Sequence, residues 1–306
     1  MKAFGNSKKA RSVREFLLIL PFILLVAVFS YYPLYGWIYA FFDYRPPMPM
    51  TVNDFVGVKW FKSLVENQTK IMQILYVLRN TFIMSGLNIL MSWLPMIFAV
   101  FLNEIQCKPF KKFVQTVTTL PNFISWVLVY SIAYCLFNSS GMVNSFLTSI
   151  GAISNPILFL QDTDHVWLSM WLWGTWKNLG WSAIMYLASL AGIDEEMYEA
   201  ARVDGATRMQ RIWYITIPSL LPTFFVLLLL SIANFLSNGM EQYYVFQNAF
   251  NRDKIQVLDL YVFNLAMSSG AYSVSTALCM LKSLISVVLL AFANGMSKLV
   301  RGENLV

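Results

Sequence analysis

The amino-acid sequence predicts an all-α membrane protein with six transmembrane helices. Hydrophobic residues make up 58% of its 306 residues and charged residues only 12%, whereas soluble domains average about 45–50% and 25%. The apolar residues also form runs of about 20 or more, long enough to cross a hydrocarbon core of roughly 30 Å as a helix. A membrane β-barrel would instead show alternating segments of about ten residues, and the sequence does not have that pattern.

Six long apolar runs define the predicted spans. They are Phe16–Phe42, Ile74–Leu102, Phe113–Phe137, His165–Ala191, Ile215–Ser237 and Val274–Leu299. The first run is longer than the apolar core of a secretory signal, so we expect an uncleaved span. We expect 1–73 to comprise an N-terminal tail, the first span and an outer loop, 74–299 to form a core of five spans, and 300–306 to be a C-terminal tail.

The distribution of basic residues predicts the orientation. Six spans place both termini on the same side of the membrane. Of the 22 Lys and Arg residues, 13 fall in the two tails and the loops between spans two and three and between spans four and five, against seven in the opposite loops. This count assigns Lys298 to the C-terminal tail and Arg79 to the opposite loops, and it leaves out Lys177 and Lys282 as intramembrane. The positive-inside rule therefore predicts cytoplasmic termini. The net charge of +6 does not indicate nucleic-acid binding, because the cations are scattered at span ends.

No group of residues in the sequence indicates catalysis, so we expect no catalytic site, no metal site and no cofactor in this chain. Cys107, Cys135 and Cys279 have neither metal-binding nor disulfide spacing. His165 is the only histidine and lies beside Asp164 near the end of a span. A phosphate-binding Walker A loop requires a Gly-Lys pair, and the sequence contains none.

The loop between spans four and five is dense in charge within a chain that is poor in charge. Asp194 has the position of a helix N-cap, and Glu195–Glu196 would lie in the first turn, where the helix dipole favours anions. Gly205 can end that helix in a left-handed conformation, and Thr207 with Gln210 has capping-box spacing for a second helix. The loop is therefore predicted to be a helix–turn–helix. These residues alone leave open whether it is an ordinary ordered loop or a docking element.

The same segment resembles the EAA signature of ABC importer permeases. The matching positions are Glu199-Ala200-Ala201, Asp204-Gly205-Ala206, Ile217-Pro218 and Pro222. Ile212 replaces the usual Phe of the signature and Ile217 the usual Leu, and both replacements remain apolar.

Other segments are similar to the oligosaccharide and polysaccharide branch of the carbohydrate-uptake permeases. They are Tyr32–Gly36, Ala40–Tyr44, Arg79–Thr81, Asn103–Glu104, Trp176–Lys177 with Gly180, Glu241–Gln242 and the last span with Lys282. The resemblance implies the MetI-like transmembrane fold of type I ABC importers, with one extra N-terminal helix.

The resemblance also implies a function and a set of partners. The chain would be the permease subunit of an ATP-driven, binding-protein-dependent importer of oligosaccharides in the cytoplasmic membrane of a prokaryote. It would form a heterodimer with a second homologous permease in the lipid bilayer. Two cytoplasmic ATPase subunits, which bind ATP and Mg²⁺, would drive transport, and an extracytoplasmic solute-binding protein would deliver the sugar.

The resemblance assigns the docking of the ATPase to a cytoplasmic coupling loop, 192–215. Its docking residues would be Glu199, Ala200, Ala201, Asp204, Gly205 and Ala206. Glu199 would pair with a basic residue of the ATPase, the two alanines would allow close approach, and Gly205 would form the turn.

Residues within and beside the spans are candidates for contact with the substrate. Trp167, Trp171 and Asn178 share one helical face that suits a sugar, although tryptophan is also common at membrane interfaces. Lys177 and Lys282 are ionisable groups inside spans and hence functional candidates, unless they extend to an interface. Glu241 and Gln242 follow span five, where the family places residues that face the sugar or the binding protein.

Three other functions compete with the importer. A secondary sugar transporter or channel without a motor is predicted to show inverted repeats or paired broken helices, which the sequence does not display. A membrane enzyme would need a catalytic cluster. A structural membrane scaffold is compatible with the charged loop.

Overall fold

The protein is all-helical. The computed structural model describes residues 3–301, with the backbone alone for 3–10, 297 and 299–301. The described residues form fifteen α-helices with shorter 3-10 and π-helical segments, and contain no strand. A single isolated antiparallel bridge joins Phe42 and Phe55. The predicted all-α class is confirmed. Of the predicted C-terminal tail, 302–306 lies outside the described residues.

The α-helices range in length from four to thirty residues. They are α1 (Ala3–Val26), α2 (Lys59–Glu66), α3 (Gln68–Leu90), α4 (Leu94–Asn103), α5 (Lys108–Thr119), α6 (Trp126–Phe137), α7 (Met142–Ser149), α8 (Val166–Ala191), α9 (Glu195–Val203), α10 (Arg208–Arg211), α11 (Ile217–Ala233), α12 (Glu241–Phe246), α13 (Arg252–Ile255), α14 (Leu258–Met267) and α15 (Tyr272–Arg301). The other helical segments are the π-helices Ala27–Tyr31 and Ile212–Thr216 and the 3-10 helices Tyr32–Phe41, Val52–Asp54, Leu120–Phe123 and Phe159–Gln161.

The chain divides into two compact units, and the first comprises Met1–Asn67 with Asn264–Leu281. Within it, the segment after the first span is bonded to the start of α15. The backbone N–H of Tyr44 donates to Oγ of Ser273 at 3.1 Å, and that hydroxyl donates to the carbonyl of Phe42 at 2.7 Å. One serine side chain thus connects two segments that are distant in sequence.

The first predicted span is helical throughout but is not a regular α-helix. After α1 the backbone widens into the π-helix Ala27–Tyr31 and then tightens into the 3-10 helix Tyr32–Phe41. Pro33 lies in the first turn of the 3-10 segment, where its missing N–H is tolerated. Between Val13 and Val26 all but one of the large apolar side chains of α1 are exposed in the single chain, as expected for a span that faces lipid or another subunit.

The second unit comprises Gln68–Phe263 with Lys282–Val306 and has two apolar cores. The first is formed by Met84, Val129, Ala133, Val166, Met170, Tyr243, Phe246, Ile255, Val257 and Leu260. The second is formed by Met96, Ala99, Val100, Ala183, Tyr186, Leu190 and Leu220. Helix α8 contributes to both cores, and is therefore the central helix of this unit.

Two predicted spans are interrupted. The second consists of α3 and α4, separated by the turn at 91–93, with Pro95 in the first turn of α4.

The third predicted span is broken between α5 and α6, so the prediction of one continuous helix over Phe113–Phe137 is wrong. Pro121 has no N–H to donate in the 3-10 turn, and Ser125 caps the new helix by accepting from the N–H of Leu128 at 3.4 Å.

Five stretches of the described residues are long and apolar enough to cross a membrane. They are Arg11–Phe41, Gln68–Asn103, Trp126–Ser149, Arg208–Ala233 and Tyr272–Met296. Helix α8 has 26 residues, a length of about 39 Å at 1.5 Å per residue, but its lysine, asparagine and tryptophans lower its mean hydropathy. The prediction of six spans therefore remains a prediction.

Candidate functional site

The charged loop after α8 begins with a capped helix. Asp194 has an extended backbone conformation, and its carboxylate accepts from the N–H of Glu196 at 3.0 Å. Glu195 and Glu196 occupy the first turn of α9, where the partial positive charge of the helix N-terminus stabilises carboxylates. The predicted start of this helix is confirmed.

A Schellman motif ends the same helix at Gly205. Gly205 has a φ of +77°, and its N–H donates to the carbonyl of Arg202 at 3.1 Å. The N–H of Ala206 donates to the carbonyl of Ala201 at 2.8 Å. This pair of bonds satisfies the last carbonyls of the helix and requires a left-handed residue between them, a position that glycine fills without steric cost.

The second short helix of the loop has the predicted capping box. The N–H of Thr207 donates to Oε1 of Gln210 at 2.7 Å, and Oγ1 of Thr207 accepts the N–H of Gln210 at 3.4 Å. The loop is therefore a helix–turn–helix with defined ends, as the sequence predicts.

Two side-chain contacts connect this loop to the long helices. The hydroxyl of Tyr198 lies 3.0 Å from Oγ1 of Thr216, which is 1% exposed at the entrance to α11. Arg208 forms an ion pair with the carboxylate of Glu104 and also donates to the backbone carbonyl of Glu104 at 2.6 Å. The loop is thus bonded to the ends of the second and fifth predicted spans, and its orientation depends on both.

The residues predicted to dock an ATPase lie on accessible surface. Glu199, Ala200, Asp204 and Gly205 are exposed, and Ala201 and Ala206 are partly buried. Met197 and Val203 on the same helix are also exposed, Val203 to 87%. An exposed helix with charged, small and apolar side chains provides a surface to which a partner can bind.

A cavity of about 610 Å³ lies between the two cores of the second unit. Its walls come from α3, α8, α11 and α12, from the turn after α3 and the start of α4, and from the segment between α11 and α12. Its lining combines indoles, thioethers, amides and hydroxyls without any charged side chain. Amides are supplied by Asn88, Asn178, Asn234, Asn238 and Gln242, and indoles by Trp171 and Trp181. Such a lining can stack on sugar rings and hydrogen-bond to hydroxyl groups.

Three of the predicted substrate-contacting residues line this cavity, namely Trp171, Asn178 and Gln242. Nε2 of Gln242 donates to the carbonyl of Met170 at 2.6 Å. Oδ1 of Asn178 accepts from the side-chain amide of Asn122 at 3.0 Å. Both amides are therefore held in place by neighbouring groups.

Glycine at position 174 makes room for one of these amides. A Cβ atom built at Gly174 would lie 3.4 Å from Oε1 of Gln242, at the near end of ordinary van der Waals contact. The backbone of α8 at this glycine therefore lies directly beside the amide at the cavity wall.

Burial raises the pKa of Tyr243, whose ring lines the cavity from α12. Its hydroxyl is engaged in a side-chain hydrogen bond with Asn238, another residue of the cavity lining.

Lys177 is on the same helix but does not line the cavity. Its side chain is 6% exposed, and its ammonium donates to the carbonyls of Pro121 at 3.1 Å and Asn122 at 2.7 Å. It also lies 5.5 Å from the ring centroid of Trp126. The lysine thus binds the carbonyls freed by the break between α5 and α6, where a cation compensates the partial negative charge.

Lys282 is likewise engaged by a protein group. It forms an ion pair with Asp259, and both side chains are less than 20% exposed. The second carboxylate oxygen of Asp259 accepts the N–H of Gly239 at 2.8 Å. The pair connects α15 to the segment before α12, and Lys282 does not line the cavity.

The other two predicted residues also lie outside the cavity lining. Glu241 is exposed at the start of α12. Trp167 is partly buried, and its indole N–H donates to the carbonyl of Lys254 at 2.8 Å. Trp167 is the second residue of α8, one turn before Trp171.

Several residues that position the site were missed by the sequence reasoning. Asn122 and Asp259 are ordinary loop or helix residues until the fold brings them to Asn178 and Lys282, and no local pattern marks those pairs. Glu104 belongs to the segment Asn103–Glu104, which resembles the carbohydrate-uptake permeases. Its ion pair with Arg208, however, joins residues more than one hundred positions apart in the sequence.

The described residues contain no group of three or more His, Cys, Asp or Glu side chains that could hold a metal ion.

A membrane unit that combines a cavity lined by amide and indole side chains with an exposed, capped helix–turn–helix belongs to the class of membrane transport subunits. Residues 83–301 match the family described as binding-protein-dependent transport system inner membrane component. The chain belongs to this family, whose members are permease subunits of ABC transporters and are not themselves enzymes.

Relatives from Bacillus subtilis (strain 168) cover nearly the whole chain. Protein LplB is 36% identical over 285 residues, which are 92% of this chain and 88% of that protein. The polygalacturonan/rhamnogalacturonan transport system permease protein YteP is 34% identical over 285 residues, which are 92% of this chain and 87% of that protein.

Solved structures of a bacterial ABC transporter show the same fold. A chain of a transporter involved in the import of the acidic polysaccharide alginate matches with a TM-score of 0.83 and 30% identity, covering 96% of this chain and 98% of that one. A chain of the alginate transporter in complex with its alginate pentasaccharide-bound periplasmic protein matches with a TM-score of 0.84 and 29% identity, covering 99% and 100%. The predicted MetI-like transporter fold is confirmed.

Proposed function

We propose that this chain is the pathway-forming permease of an ATP-driven importer of oligosaccharides. The observation that carries the proposal is the position of α8. This helix lines the cavity through Trp171 and Asn178 and leads directly into the capped loop at Asp194. One rigid element therefore joins a surface suited to a sugar with a surface suited to a motor.

The chemistry of the cavity supports a sugar as substrate. Sugars present hydroxyl groups that need hydrogen-bond partners and apolar ring faces that stack on aromatic side chains. The cavity offers both kinds of partner, and its volume of about 610 Å³ is typical of a small-molecule site. The relatives that are named for polygalacturonan, rhamnogalacturonan and alginate support an oligosaccharide.

In this proposal, α9 and its turn dock in the ATPase. Glu199 pairs with a basic residue of that subunit, Ala200 and Ala201 allow close approach, and Asp204, Gly205 and Ala206 shape the turn. Closure of two ATPase subunits on ATP and Mg²⁺ moves α9 as a rigid body. The bond between Tyr198 and Thr216 and the ion pair of Arg208 pass this motion to the long helices.

The proposed assembly contains more than this chain. A second homologous permease completes the pathway as a heterodimer, and an extracytoplasmic solute-binding protein delivers the sugar. The chain crosses the cytoplasmic membrane of a prokaryote six times, with α8 as the fourth span and both termini in the cytoplasm. The excess of Lys and Arg at the α9 end of the spans supports this orientation.

The test is reconstitution of the whole importer. The chain is co-expressed with the partner permease, ATPase and binding protein, and ATP hydrolysis and sugar uptake are measured in the same proteoliposomes. We expect hydrolysis to be stimulated by the sugar-loaded binding protein and uptake to require ATP. Uptake by this chain without the ATPase would support a secondary transporter and contradict the proposal.

A further inference from the structure

Beyond the cavity, four side chains from three helices meet at the end of α8 opposite α9. We call Tyr76, Arg79, Trp167 and Lys254 the Trp167 cluster. The guanidinium of Arg79 lies 5.6 Å from the centroid of Trp167 and 5.3 Å from that of Tyr76. The ammonium of Lys254 lies 5.9 Å from the centroid of Trp167. One indole thus holds two cations in place through its electron-rich faces.

The backbone around the Trp167 cluster is fixed by a buried amide. Asn80 is 0% exposed, and its Nδ2 donates to the carbonyls of Asp253 at 2.8 Å and Gln256 at 3.1 Å. The indole N–H of Trp167 donates to the carbonyl of Lys254 at 2.8 Å. These bonds hold α3, α8 and α13 together, so the two cations are displayed from a rigid base.

Arg79 has hydrogen-bonding capacity that the protein does not use. It is exposed and forms no ion pair within the described part of the chain. One of its five N–H donors makes a long contact of 3.4 Å with the amide oxygen of Asn80. A planar fork of this kind recognises carboxylates through two parallel hydrogen bonds.

The other charges around the Trp167 cluster leave the guanidinium group of Arg79 available to a ligand. Lys254 pairs with Asp164 at 3.2 Å, and the carboxylate of Asp164 is 80% exposed, so the pair is weak and open to competition. Asp253 and Arg252 are exposed on α13, and neither forms an ion pair with Arg79 among the described residues.

The Trp167 cluster lies next to the cavity. Trp167 precedes Trp171, which lines the cavity, by four residues on α8, a distance of about 6 Å along the helix. The cavity itself has no charged lining residue. Lys177 and Lys282, the two lysines inside predicted spans, are occupied by carbonyl groups and by Asp259.

We propose that Arg79 in the Trp167 cluster binds a carboxylate of an acidic oligosaccharide as it enters the cavity. This inference rests on the proposed import of oligosaccharides and specifies their chemical class. Arg79 recognises the acid group at the mouth, while the uncharged cavity contacts hydroxyl groups and ring faces further along. A carboxylate on the solute-binding protein is the competing ligand. The free sugar is favoured because the indole that holds Arg79 lies on the face of α8 that continues into the cavity.

The experiment uses the complete importer in proteoliposomes, with ATP inside and the binding protein outside. The probes are tetrasaccharides of galacturonate and of alginate, each beside its carboxyl-reduced neutral counterpart. Four chains are compared, namely the parental chain, Arg79→Gln, Arg79→Lys and Arg252→Gln. The last variant removes the same charge from the same end of the unit without touching the Trp167 cluster.

We expect Arg79→Gln to lower uptake of the acidic probe about tenfold, the effect of one lost charge-assisted contact. Uptake of the neutral probes by Arg79→Gln should stay within twofold of the uptake by the parental chain. Arg79→Lys should retain part of the acidic uptake, and Arg252→Gln should match the parental chain.

Three results would overturn the inference while leaving the importer intact. The first is that the parental importer takes up only the neutral probes. The second is that Arg79→Gln loses acidic and neutral uptake equally, which would indicate a contact with the binding protein. The third is that Arg79→Gln leaves acidic uptake unchanged. If the parental importer takes up none of the probes, acidic or neutral, the proposed function itself fails.

Discussion

Tyr198, in the short helix α9, lies with its hydroxyl oxygen 3.0 Å from Oγ1 of Thr216, at the entrance to α11. Thr216 is 1% exposed, so this bond joins an accessible loop to the interior of the unit. A force on α9 therefore reaches α11 through a hydrogen bond as well as through the backbone between them.

Replacing Tyr198 with Phe removes this bond and keeps the ring. A hydrogen bond of this kind contributes about 0.5–1.5 kcal/mol, so we expect the importer to assemble normally. The amount of sugar taken up per ATP hydrolysed should fall severalfold, because α9 moves with less effect on α11. Tyr214→Phe is the control, since that ring is 80% exposed. Equal uptake per ATP in both variants would show that the bond does not transmit motion.

Gly205→Ala tests the turn of the coupling loop. Alanine at a φ of +77° is strained, at a cost of about 1–2 kcal/mol, although a Cβ there meets no neighbour within 4 Å. We expect a lower melting temperature and a reduced stimulation of ATP hydrolysis by sugar. Gly151→Ala carries the same backbone strain at a φ of +72°, far from this loop in sequence. It should lower the melting temperature alone. Equal loss of stimulation in the two variants would contradict a role of this turn in coupling.

Trp171→Ala removes an indole from the cavity wall. We expect the sugar concentration at half-maximal uptake to rise about tenfold, because a stacking surface is lost, while the complex remains intact. Trp176→Ala removes an indole of the same helix that is 43% exposed and outside the cavity lining. Its uptake curve should match that of the parental chain. Unchanged uptake in Trp171→Ala would assign that face of α8 to packing.

Lys177→Met tests the break between α5 and α6. The substitution leaves the carbonyls of Pro121 and Asn122 without their cation, at a cost of about 1–3 kcal/mol for each unsatisfied buried group. We expect a clearly lower melting temperature of the purified complex, and a smaller decrease for Lys177→Arg, which keeps the charge. Lys108→Met, at an exposed lysine, is the control. Equal melting temperatures of Lys177→Met and this control would show that Lys177 does not stabilise the break between α5 and α6.

Asp259 and Lys282 are suited to a double-mutant cycle. Asp259→Asn or Lys282→Met alone leaves one charge without its partner in a place where both side chains are less than 20% exposed. Removing one partner of such a pair costs more than replacing both. We expect the double variant to be more stable in thermal unfolding than the less stable single variant. Additive losses would mean that the two charges do not interact.

The loop could be predicted in detail because its signals are local. Asp194, Gly205 and the pair of Thr207 and Gln210 act within a few residues of themselves, and each has the role that its position predicts. The bounds of α8 also agree with the predicted span His165–Ala191 to within one residue, since a long apolar run marks them.

The cavity was predicted only in part because its lining depends on contacts between distant segments. Helical periodicity placed Trp171 and Asn178 on one face, and the cavity contains both. The same periodicity included Trp167, which lies beyond the cavity lining. Lys177 was a pathway candidate because it is ionisable, but the break at Leu120–Phe123 brings backbone carbonyls to its ammonium. A sequence pattern does not show which charges find partners in the fold.

The central claim is that α9 couples ATP hydrolysis to transport, and Glu199→Lys tests it most directly. Uptake and ATP hydrolysis are measured in the same proteoliposomes for this variant and for Glu66→Lys, which reverses an exposed glutamate outside the coupling loop. The account predicts that Glu199→Lys assembles with its partners yet loses sugar uptake and the stimulation of hydrolysis by sugar, whereas Glu66→Lys keeps both. Parental uptake per ATP in Glu199→Lys would contradict it.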